Sequence, residues 1–328
     1  MLGVERGTVR GEGWEMDHIR FGAGGRVLVI LPGLGDGLRT VRETALPLAA
    51  ACREYGRERK VYLFSRRRGL EPGATIRGMA EDQAEAMKKL GLWGADVLGI
   101  SQGGMVAQHL AAEAPELVRR LVLVATAGWA NETVQETVGR WLLLAERGDY
   151  RRLMRDTAER SYSQRYLRRY RLLLPLLGTI GRPRSYQRFL IQARACLGHD
   201  ARGALGRIGC PALVVGGGRD QVVGAEAAGV LAEHLSQSRL WIYPSWDMDS
   251  TRRPQTSQRG YWHFCPSESK ICSIPLDKIE HMLYFKSRTY VFLWSREKVR
   301  FLGPAHCYTA DKIQERREHD ADPVLYHP

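Results

Sequence analysis

Six short apolar runs mark the first 245 residues: Val27–Leu31, Val61–Phe64, Val97–Ile100, Leu121–Val124, Leu213–Gly216 and Leu240–Tyr243. Helical patterns separate most of them, as in Ile76–Leu90 and Gly103–Ala114. A strand that is apolar along its whole length must be covered on both faces. Strands of this kind alternating with helices predict an α/β fold: a mostly parallel sheet with helices on both sides. In such sheets chemistry gathers beyond the carboxyl ends of the strands.

The third run leads into Gly99-Ile100-Ser101-Gln102-Gly103-Gly104, a G-x-S-x-G between strand and helix. A serine placed there sits on a sharp turn with its hydroxyl raised above the sheet edge, and small residues two positions either side let the backbone crowd together. The first run ends in Leu31-Pro32-Gly33-Leu34-Gly35-Asp36-Gly37, and the fifth in Gly216-Gly217-Gly218-Arg219-Asp220. Alone, the former is a Gly-rich turn and the latter an Asp at a helix start.

The alternation breaks between about Trp129 and Gly206. The segment has helical periodicity and is too long for one crossover, so it predicts a helical cap over the strand ends. Extra crossover helices with no role at the site are the plainer alternative. The expected organisation is core at 1–128, cap at 129–206, core again at 207–245 and an anomalous tail at 246–328.

In this order the three loops resemble the α/β-hydrolase family over about residues 20 to 245. The resemblance implies Ser101 as nucleophile and the backbone N–H groups of Leu34 and Gln102 as the oxyanion hole. It also implies Asp220 as the acid that orients a histidine and stabilises its imidazolium. Neither a metal nor an organic cofactor is implied. The implied reaction is hydrolysis of an ester, thioester or lactone through an acyl-enzyme on Ser101. The apolar cap points to a small-molecule substrate with a hydrophobic part.

One member is missing. The family histidine should follow the run Leu240–Tyr243, and no histidine lies there. His234 comes too early. His263 is the nearest later one and a possible recruit, while His18, His109 and His199 precede the acid. His109 falls on the helix after Ser101, where packing is its expected role.

The composition also changes near Ser245. Lysine occurs three times before it and five times in the 83 residues after it, while alanine, abundant before, is found after it only at 305, 310 and 321. The codons of Trp246-Asp247-Met248-Asp249, read from the third base of the Trp codon, spell Gly, then His or Tyr, then Gly. Synonymous choices through His263 continue this into an amphipathic helix of the family's type. The pattern predicts a change of reading frame just before codon 246, with the tail poorly packed. A divergent C-terminal extension is the alternative. On either view a non-catalytic, ligand-binding or inactive protein on the same fold stands beside the enzyme.

Other classes are disfavoured. No apolar run reaches the roughly 18 residues of a membrane span. Met1–Arg20 is charged and Gly-rich with no apolar signal core. The six cysteines form no C-x-x-C pair, which argues against a zinc site or disulfide framework. The expected compartment is therefore the cytoplasm. The net charge of +13 includes an Arg/Tyr-rich stretch from Arg147 to Arg188. No nucleic-acid-binding motif accompanies it, so it reads as a solvated helix surface and not as a nucleic-acid site. The sequence assigns no oligomeric state.

Overall fold

A computed structural model describes residues 3–161, 167–168, 181–243 and 307–308. The six apolar runs are all strands: β3 (Arg26–Leu31), β4 (Arg59–Phe64), β5 (Ala95–Ile100), β6 (Val118–Val124), β7 (Ala212–Gly217) and β8 (Ser238–Tyr243). An N-terminal hairpin precedes them, β1 (Glu5–Gly11) and β2 (Trp14–Phe21). The strand order is β1-β2-β4-β3-β5-β6-β7-β8, extended by a two-residue strand β9 (Cys307–Tyr308). Pairing is parallel from β4 through β8, and antiparallel for β1 with β2, β2 with β4 and β8 with β9.

Strand side chains alternate between two cores, as their period of two requires. Leu28 and Ile30 enter one, with Leu98, Val122 and Leu213, against helix α1 (Ala45–Ala51). Val29 and Leu31 enter the other, with Val97, Leu121 and Val214. That second core is packed by α2 (Ile76–Lys89) and α3 (Gln102–Glu113). The doubly covered sheet expected from continuous apolar strands is therefore present.

Between β6 and β7 the chain leaves the sheet and forms α4 (Glu132–Glu146), α5 (Tyr150–Ser161), α6 (Gln187–Leu197) and the short α7 (Arg202–Leu205). It departs and returns at one place. A bridge joins Trp129 to Asp200, and the Ala201 amide donates to the Gly128 carbonyl at 2.8 Å. Helix α8 (Ala227–Glu233) then leads into β8. Much of the Arg/Tyr-rich stretch, including Tyr162, Tyr166 and Tyr170, lies outside the described residues. So does the tail from 246 on, His263 included, apart from β9.

Candidate active site

Ser101 stands where β5 turns into α3, with φ 52° and ψ −120°. An L-residue reaches such a conformation at a cost of about 1–3 kcal/mol and keeps it only when its surroundings over-determine it. They do here. The Ser101 amide donates to the Val124 carbonyl at 2.9 Å, and the Ser101 carbonyl accepts from the Gly104 amide at 2.8 Å and from Thr126 Oγ1 at 2.8 Å. The flanking glycines are steric necessities. A Cβ on Gly103 would lie 2.0 Å from the Leu31 carbonyl oxygen, and one on Gly99 would lie 2.6 Å from the Gly103 carbonyl oxygen.

Leu34 and Gln102 each occupy the first position of a helical segment. Leu34 opens the 3₁₀ turn Leu34–Gly37, and Gln102 opens α3. Amides at the start of a helix have no carbonyl of their own helix to bond and point outward with the positive end of the local dipole. Both residues line one cleft with Ser101. The other walls of the cleft are Met105, Val134, Val138, Trp141, Cys196, Val222 and Val223. Except for Ser101 and the Gln102 amide group, the lining is apolar or a thiol. Burial pushes the Cys196 thiol up to about 12, so it stays protonated near neutrality.

Asp220 lies in the turn after β7. Its Oδ1 accepts from the amides of Val222 at 2.7 Å and Val223 at 2.9 Å. Oδ2 takes no hydrogen bond among the described residues. Burial raises the carboxyl pKa and nearby Glu226 adds to the rise, while the two amide bonds act in the opposite direction. Val222 and Val223 are themselves cleft walls, so the acid's turn borders the same cleft as Ser101. Asn131, the N-cap of α4, ties that turn to the inserted helices, since its Nδ2 donates to the Val223 carbonyl at 2.7 Å.

Ser101, Leu34 and Gln102 thus line one cleft, with Asp220 in the adjoining turn. No described histidine joins them. His234 ends α8, with its Nδ1 2.8 Å from the Val230 carbonyl oxygen. His109 and His199 are buried against each other, ring centroids 5.6 Å apart. Among the described residues no three His, Cys, Asp or Glu side chains gather as a metal site needs. None of the described helices is long and apolar enough to cross a membrane.

Sequence reasoning missed the walls from α4. Val134, Val138 and Trp141 follow an i, i+4, i+7 spacing, so they share one face of that helix, and the signal was there to be read.

Comparison with known proteins places this geometry. A family model described as alpha/beta hydrolase fold matches residues 26–247. A pimeloyl-[acyl-carrier protein] methyl ester esterase of Neisseria meningitidis is 34% identical over 159 residues, covering 45% of this chain and 60% of the relative. Its counterpart from Chromobacterium violaceum is 33% identical over 158 residues, covering 46% and 61%. The chain thus spans about 60% of the length of these curated relatives. Among solved structures, the enol-lactonase of Burkholderia xenovorans superposes with a TM-score of 0.61 at 20% identity, covering 73% of this chain and 91% of that one. An alpha/beta hydrolase enzyme from a Medee basin deep-sea metagenome library gives 0.62 at 18% identity, covering 72% and 88%. At such identities the structural likeness speaks for the fold alone.

Proposed function

The chain belongs to the alpha/beta hydrolase fold family, and we propose that its site is built for carboxylic-ester hydrolysis through an acyl-enzyme on Ser101. One observation carries the reading. A serine held at φ 52° opens onto an apolar cleft bordered by the first residues of two helical segments, Leu34 and Gln102. Ser101 Oγ attacks the ester carbonyl, and the charge that develops on the carbonyl oxygen is taken up by the Leu34 and Gln102 amides. Each such donor contributes roughly 3 kcal/mol to the transition state. The C–O bond to the alcohol breaks, the alcohol leaves with a proton, and water then releases the acid from Ser101.

The proton traffic needs a histidine between Ser101 and Asp220. Oδ2 of Asp220, without a hydrogen bond among the described residues, is the acceptor that would orient it. The sequence offers Gly-His-Gly at the expected place only in the shifted frame after Ser245, and the family match ending at residue 247 supports that reading. His263, recruited from the tail, is the alternative source.

The helices of 129–206 act as a cap in this account, because Val134, Val138, Trp141 and Cys196 supply cleft walls. An uncharged aliphatic acyl group suits these walls. The curated relatives act, by name, on the methyl ester of a pimeloyl chain on acyl-carrier protein, and a small alkyl ester of an extended acyl chain is the substrate class we assign. The free thiols of Cys52, Cys196 and Cys210 suit a reducing cytoplasm.

The test is hydrolysis of p-nitrophenyl butyrate by the full chain and by Ser101→Ala, each with and without added imidazole. With the protein-free rate at each imidazole concentration subtracted, we expect a weak rate that imidazole raises, and neither rate nor rescue in Ser101→Ala. Equal rates in the two proteins would remove the nucleophile. Saturable binding of the ester with no turnover under any condition would favour the second reading, a ligand-binding protein with an incomplete triad.

A further inference from the structure

The two amides assigned to the oxyanion hole lie far apart in sequence, yet one helix reaches both of their loops. Arg188 and Gln192 are one turn apart on α6 and share a face. Arg188 Nη2 donates to the buried Asp36 Oδ2 at 2.6 Å and to the Arg66 carbonyl at 2.8 Å. Its Nη1 donates to the Arg67 carbonyl at 2.7 Å and its Nε to the Asp36 carbonyl at 3.3 Å. Asp36 Oδ2 also accepts from the Arg66 amide at 3.0 Å and from Gln192 Nε2 at 3.4 Å. Asp36 belongs to the turn that begins at Leu34.

On the other side, Gln102 Nε2 donates to the main-chain carbonyl of Gln192 at 3.1 Å. The fit is close, since a Cβ on Gly37 would lie 2.7 Å from Phe189 Cα. The buried Arg66 adds a stitch, donating from Nη2 to the Pro32 carbonyl at 2.8 Å.

We propose that Arg188 and Gln192 are positioning residues for the oxyanion hole, holding the Leu34 turn and the start of α3 in register from the inserted helix α6. The proposal rests on the Ser101 reading for its catalytic meaning. A guanidinium suits the task because its planar fork serves these four fixed acceptors at once, one more than the three donors of an ammonium. Displacing an oxyanion donor weakens the tetrahedral species more than the bound ester.

The full chain, Arg188→Met, Arg188→Lys and Gln192→Met are compared by two readouts. The first is amide hydrogen exchange at Asp36, Leu38 and Gly104, whose bonds define the two loops. The second is affinity for butylboronic acid, whose boron accepts Ser101 Oγ while the hydroxyl proton passes to solvent, leaving a tetrahedral anion. Arg188→Met is expected to speed exchange in both loops and to weaken the boronate about tenfold or more. Arg188→Lys should fall between it and the parent. If Arg188→Met fails to fold, Arg188→Lys carries the same comparison, and Gln192→Met reads the loss of the Asp36 contact alone, since Gln102 bonds the main chain at 192. Faster exchange confined to α6, with boronate affinity unchanged, would reduce the contact to plain helix docking and overturn the proposal. Equal boronate affinity in the parent and Ser101→Ala would remove the Ser101 reading instead, and exchange in the two loops would still decide the positioning.

Discussion

Substituting Gly103 by alanine should be among the most damaging single-methyl changes in the molecule. The added Cβ would lie 2.0 Å from the Leu31 carbonyl oxygen, 2.5 Å from its carbon and 2.7 Å from the Pro32 carbonyl oxygen. A carbon rests at about 3.3 Å or more from a carbonyl oxygen, so the shortfall is about 1.3 Å. None of these atoms is the tip of a flexible side chain. Leu31 is paired with Gly99 in the parallel ladder of β3 and β5, and Pro32 begins the loop that carries Leu34. Overpacking ordinarily costs about 1–3 kcal/mol, and an immovable main-chain partner places this case at about 3 kcal/mol or above. Gly139→Ala is the internal control. It lies within α4 with nothing inside 4 Å of its added Cβ, so it should gain about 0.5–1 kcal/mol from chain entropy and helix propensity. Urea unfolding of the three proteins gives the comparison, with the two variants expected to differ by about 4 kcal/mol. Gly103→Ala within about 0.5 kcal/mol of the parent would refute the packing argument. It would also break the steric link between the elbow and the Leu34 loop.

Two further outcomes follow from His199 and Asn131. Burial, with His109 adding to the effect, lowers the His199 pKa from 6.5 to about 4. The unfolded chain therefore takes up this proton first as pH falls. The group's stability is intact above about pH 6.5, declines towards pH 4 and is flat below, a loss on the order of 3 kcal/mol. His199→Phe should flatten the slope of urea stability across that interval, and an unchanged slope would show that His199 is not its source. Asn131→Ala removes the Oδ1 cap on the Val134 amide and the Nδ2 bond to the Val223 carbonyl. It should cost about 1–2 kcal/mol and weaken binding in the cleft, because Val223 and Val134 both line it. Unaltered stability, read by thermal melting, would count against the tether.

The parallel strands were legible because burial on both faces leaves no polar alternation to confuse them. The N-terminal hairpin was not. Its residues Glu5–Gly11 and Trp14–Phe21 mix charged side chains with apolar ones, and β1 is an edge strand with much of its length exposed. The Ser101 turn was legible because its glycines stand at fixed offsets from the serine, although the backbone that demands Gly103 belongs to Leu31 and Pro32, far along the chain. The Asp36–Arg188 pair was invisible, since its partners are 152 residues apart and no local spacing marks them. A fully buried arginine such as Arg66 runs against composition rules, and only the carbonyl and carboxylate around it explain its place. His109 was legible as a packing residue, though its neighbour His199 was not.

The most direct measurement is p-nitrophenyl butyrate turnover by a chain carrying the reading frame we propose after Ser245 (the restored chain), set beside the present chain and Ser101→Ala and Asp220→Asn versions of the restored one. A triad histidine is worth on the order of 10⁶ in kcat in a comparable enzyme. The restored chain should therefore exceed the present one by several orders of magnitude, and both substitutions should abolish most of the gain. A restored chain no faster than the present one, or a gain that survives Ser101→Ala, would contradict the assignment of Ser101, Asp220 and the missing histidine as one catalytic unit.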